Sequence, residues 1–82
     1  MKKKEQLQEL MKRLNLSLAV YGLELEFSFN LSSKSINIEV LENVQAIPSL
    51  FIMKASLIAG YPLVYWNGVH IVLTFHPFLY DE

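Results

Sequence analysis

The stretch LELEFSFNLSSKSINIEV, residues 23–40, decides the fold class. Leu23, Leu25, Phe27, Phe29 and Leu31 alternate strictly with Glu24, Glu26, Ser28 and Asn30, as in a strand with one face on a core and the other in water. Ser32-Ser33-Lys34-Ser35 is turn-like, and Ile36, Ile38 and Val40 then resume the alternation against Asn37 and Glu39. Pairing Leu31 with Ile36, Phe29 with Ile38 and Phe27 with Val40 puts all six on one face, so the stretch is predicted to be a hairpin.

Towards the N-terminus, Leu7, Leu10, Met11, Leu14, Leu18 and Tyr21 recur at spacings of three and four, the mark of an amphipathic helix over 3–21 that Gly22 ends. Leu14, Leu16, Leu18 and Val20 also alternate and offer an earlier strand; the helix is the preferred reading. Beyond the hairpin, residues 46–60 are apolar almost all round, broken only by Ser49, Lys54 and Ser56. Pro48, Lys54, Gly60 and Pro62 argue against a membrane span, and Pro48 and Gly60 suit the two ends of a buried helix with its body at 49–59. Phe51, Ile52 and Ile58 would also fit a strand.

Residues 63–75 read as a second hairpin folded at Asn67-Gly68. A two-residue turn there pairs Trp66 with Val69, Tyr65 with His70, Val64 with Ile71 and Leu63 with Val72. Val64, Trp66, Val69, Ile71, Leu73 and Phe75 then share the core face; Tyr65, His70, Val72, Thr74 and His76 share the other, joined by Leu63 and Tyr61. Pro77 ends the last run, and the tail from Phe78 through Tyr80 to Asp81 and Glu82 is loose or tied down by its aromatics. The order is α-β-β-α-β-β: an α+β fold in one domain, 1–82, with a four-stranded, largely antiparallel sheet from two hairpins packed against two helices.

Composition narrows the function classes. With 82 residues, 52 % hydrophobic and 18 % charged, the chain carries more apolar side chain than so small a core hides, so association is the default. It has no cysteine, which removes disulfides, thiolate catalysis and cysteine-ligated metals, and it suits a cytoplasmic address. Met1-Lys2-Lys3-Lys4 resembles the start of an export signal, but Glu5, Gln6, Gln8 and Glu9 follow where an apolar run is required. Net charge is −1, with Lys2, Lys3, Lys4, Lys12 and Arg13 gathered in the first helix and Glu24, Glu26, Glu39 and Glu42 in the next segments, as solvated faces.

His70 and His76 lie six residues apart on one strand, roughly 20 Å along it, too far to share one metal ion within a chain. His70 opposite Tyr65 could form a proton-transfer pair, the basis of an enzymatic reading, although a plain cross-strand pair explains it as well. The serines form no nucleophile motif, and three glycines make no phosphate-cradling loop. Ala55, Ser56, Ala59 and Gly60 form a stripe of small residues for close packing, inside the chain or at a dimer seam. Tyr61, Leu63, Tyr65, His70, Val72, Thr74 and His76 make an aromatic, charge-poor face fit for a partner protein. The function expected is therefore a non-enzymatic, homodimeric protein-interaction module needing no cofactor, metal or membrane. The alternative is single-stranded nucleic-acid binding through the basic helix, Lys34 and exposed aromatics.

Overall fold

The computed structural model of the chain describes residues 2–79. It is an α+β fold whose elements are α1 (Lys2–Leu18), a 3₁₀ turn (Ala19–Tyr21), β1 (Leu25–Asn30), β2 (Ser35–Val40), α2 (Ser49–Ala59), β3 (Leu63–Trp66) and β4 (Ile71–Phe75). The strands form one antiparallel sheet in the order β1-β2-β4-β3. The second hairpin therefore joins the first through β4, and β3 is left at an edge.

Each element follows from its local chemistry. Leu7, Leu14 and Leu18 form the buried stripe of α1, and the chain leaves the 3₁₀ turn at Gly22, whose φ of 70° is the left-handed conformation that glycine adopts without a Cβ penalty. α2 starts after Pro48, whose carbonyl accepts the Phe51 N–H at 3.0 Å, and stops at Gly60. Ile36, Ile38, Val40, Leu73 and Phe75 from the two central strands meet Phe51, Ala55 and Ala59 of α2 and the α1 leucines in one core. Tyr21 leans on Phe51 with ring centroids 5.4 Å apart. Phe78 packs against the core under the Lys3 ammonium, 3.9 Å from its ring, so the tail is tied down there. Residues 80–82 lie outside the described residues.

Both hairpins are right in face and wrong in register. Phe29 pairs with Ile36, Phe27 with Ile38 and Leu25 with Val40; Trp66 pairs with Ile71, Tyr65 with Val72, Val64 with Leu73 and Leu63 with Thr74. Each ladder is displaced by two residues from the predicted one, and an even shift keeps every side chain that stays in a strand on its expected face. At both turns an asparagine side chain captures backbone N–H groups and so fixes where the chain reverses, at residues 31–34 and 67–70 rather than at the expected 32–35 and 67–68. Asn30 Oδ1 accepts from Ser33 N at 3.1 Å, with Lys34 at a φ of 54°, so Leu31 falls into the turn. Asn67 Oδ1 accepts from Val69 N and His70 N at 2.9 and 2.8 Å, and Gly68 takes a φ of 99°.

Two burial expectations also change. α2 is not buried all round: Phe51, Ala55 and Ala59 point inward, while Leu50, Met53 and Leu57 are 62 %, 52 % and 86 % exposed. The helix packs chiefly against α1 and therefore turns one side away from the molecule. Val64 and Trp66 share the core face as read but are not core; both are exposed, because the helical layer covers β1, β2 and β4 and stops short of β3, while Val69 falls into the turn and is exposed there.

Truncation should follow this division. Ile38→Ala is expected to lower unfolding stability by about 2–5 kcal/mol, and Leu16→Ala, at an exposed position of α1, to change it by less than about 0.5 kcal/mol. Urea unfolding curves of the two variants, compared with the parent, check both.

Candidate functional site

The sheet has one face under the helices and one open. On the open face, Glu39 of β2 stands opposite Val72 of β4, and Val72 stands opposite Tyr65 of β3. Val72 is only 6 % exposed although no helix covers it, because side chains of both neighbouring strands close over it. Around it lies a shallow groove of about 220 Å³ lined by Glu26, Ser28, Asn37, Glu39, Tyr65, Asn67 and Val72.

A polar network ties the groove together. His70 Nδ1 lies 2.7 Å from Glu39 Oε2, and Asn67 Nδ2 donates to the same oxygen at 3.3 Å. An ionised carboxylate only accepts, so the proton of the shorter bond sits on Nδ1. Thr74 Oγ1 donates to Asn37 Oδ1 at 2.7 Å, with the Tyr65 hydroxyl at a long 3.5 Å. The His70 bond, followed by the Asn67 bond, holds the Glu39 carboxyl below its ordinary value of 4.5. The network thus fastens the tip of the second hairpin to β2.

Tyr65 and His70 are not the directly opposed pair that the tight turn predicts. The two-residue shift sets Val72 opposite Tyr65, and His70 engages Glu39 instead. His76 is half-buried, and its carbonyl accepts the Leu79 N–H at 3.1 Å. Among the described residues, no three histidine, aspartate or glutamate side chains gather about one metal position. The cations of α1 lie on a helix packed over β1 and β2, and Lys34 lies in the β1–β2 turn, whereas the exposed aromatics Tyr61, Tyr65 and Trp66 belong to β3 and the link before it.

The second candidate surface is β3 itself. All four of its residues are exposed, Leu63 at 66 % and Trp66 at 58 %. Leu63 and Tyr65 point to the open face; Val64 and Trp66 point to the helical side, where nothing covers them. Tyr61, in the three-residue link from α2, is 80 % exposed, and the outer residues Leu50, Met53 and Leu57 of α2 precede that link. Ala55 and Ala59 of the small-residue stripe are consumed inside the chain, while Ser56 keeps some surface and donates its hydroxyl to the Met53 carbonyl, and Gly60 is exposed.

Sequence reasoning missed Glu39 as the partner of His70, since register alone brings them together. It also missed Leu50, Met53 and Leu57, although a signal existed. If Phe51, Ala55 and Ala59 mark the inward stripe, residues one or two positions away must face out. No protein-family model, curated protein or solved structure matches this chain.

The Glu39 bond has a pH signature. A carboxylate whose folded value lies below its unfolded one adds stability above the unfolded value and loses it as pH falls through the folded value. Between about pH 5 and pH 3 the parent should therefore lose more stability than Glu39→Gln, which has no such proton to take up. Urea midpoints measured across that range check it; parallel curves contradict it.

Proposed function

We propose that the protein is a small interaction module that self-associates and docks a partner protein by burying the apolar surface of β3 and the outer side of α2, without a catalytic step. The observation that carries the reading is the exposure of Val64 and Trp66 on the sheet face that elsewhere is core. Apolar surface of this kind on a small domain marks an association site. Tyr and Trp are also the side chains that dominate the energy of such contacts.

The mechanism needs only burial and fit. Trp66, Tyr61 and Leu57 supply apolar area, and Lys54, exposed on α2, with the glutamates of the open face supplies a charged rim that orients the encounter. No helix among the described residues is long and apolar enough to cross a membrane, and a cytoplasmic address fits a small domain that holds itself together without cysteine.

Light scattering at micromolar concentration should give about twice the 9.5 kDa of one chain. Trp66→Lys and Leu57→Lys should each shift the population towards the single chain while leaving the far-ultraviolet spectrum unchanged. A folded parent that stays at the mass of one chain at every concentration contradicts the reading.

A further inference from the structure

We propose that the second copy is taken up by strand addition: β3 of one chain pairs antiparallel with β3 of the other about a twofold axis at Tyr65, joining two four-stranded sheets into one of eight. This rests on the reading of the protein as a self-associating module and names the edge it uses.

The backbone gives the first reason. The Asn67 N–H donates to the His70 carbonyl at 3.0 Å, so these residues form a hydrogen-bonded pair, and such pairs alternate along an antiparallel ladder. Counting back through the register, Tyr65–Val72 and Leu63–Thr74 are bonded pairs, and Val64 and Trp66 turn their N–H and C=O groups away from β4. Pro62 has no N–H to offer, which leaves Val64 and Trp66 as the donors on this edge of β3. Joining Val64 to the partner's Trp66, and Trp66 to the partner's Val64, satisfies every one of these groups. A register centred on Val64 would face the Trp66 carbonyl with proline, and one centred on Trp66 would face Val64 with Gly68 in the turn.

Side chains give the second. Exposed strand edges are normally blunted by charge, proline or a covering element. β1, the other edge, carries Glu26 and has α1 packed on it, and Glu24 just before it receives the Glu42 carboxylate on its N–H at 2.7 Å. From Tyr61 to Val69 there is no charged residue at all, so two copies meet there without repulsion. Tyr61, Tyr65 and Trp66 together expose on the order of 400 Å² at the usual size of aromatic side chains. That is about half of the roughly 800 Å² each partner gives to a standard interface, with Leu57, Leu63, Val64 and Val69 still to add.

The register is tested by cysteine pairing in a chain that has no other cysteine. In the proposed register the two Tyr65 residues form a non-hydrogen-bonded pair with Cα atoms roughly 4.5 Å apart, within disulfide reach. The two Leu63 residues would lie about 13 Å apart. Under mild oxidation, Tyr65→Cys should give covalent dimer at least about tenfold faster than Leu63→Cys, and Val64→Pro, which removes an outward N–H and no bond to β4, should weaken the dimer about tenfold or more. A parent that dimerises while Tyr65→Cys links no faster than Leu63→Cys overturns strand addition and leaves association through α2 standing. A parent that never dimerises overturns both.

Discussion

The helical layer of this protein is narrower than its sheet, and the rest of the molecule is organised by that mismatch. α1 and α2 pack on one another and over β1, β2 and β4, where they enclose Ile36, Ile38, Val40, Leu73 and Phe75. β3 extends past the cover. Its two helix-side residues, Val64 and Trp66, have the chemistry of a core and the exposure of a surface. Nothing within the described residues resolves that contradiction; burial against another chain, as proposed, would.

The parts of the fold legible in the sequence are those written as periodicity. Strict alternation over Leu25–Asn30 and Ser35–Val40 set the strand faces, and the three-and-four spacing set the stripe of α1. Pro48 and Gly60 marked the ends of α2. Register was not legible, because it depends on where and over how many residues the chain reverses: Asn30 Oδ1 anchors a four-residue turn one residue earlier than the spacing suggests, and Asn67 Oδ1 anchors a turn of four residues where two were expected. Both errors were even, so both faces survived. Coverage was not legible either: period two says which side of a strand is apolar and is silent on whether a helix reaches it. That is why Val64 and Trp66 read as core.

The histidines that draw the eye in the sequence have distinct positions. His70 is a fastener, bonded to Glu39 across the open face beside Asn67, and it holds the hairpin tip against β2. This anchoring matters for β3, since a strand of four residues at an edge keeps its shape only if its turn is fixed. The polar network on one face and the uncovered apolar side chains on the other therefore belong to one arrangement: the first sets the geometry of the edge, and the second makes that edge worth covering.

Amide hydrogen exchange at the four residues of β3, followed as a function of protein concentration, is the most direct measure of whether that edge is covered. Leu63 and Tyr65 donate inward to β4 and should be protected at any concentration, whereas Val64 and Trp66 should exchange freely in dilute solution and become protected as the protein is concentrated. Rapid exchange at Val64 and Trp66 that does not change with concentration would contradict the account.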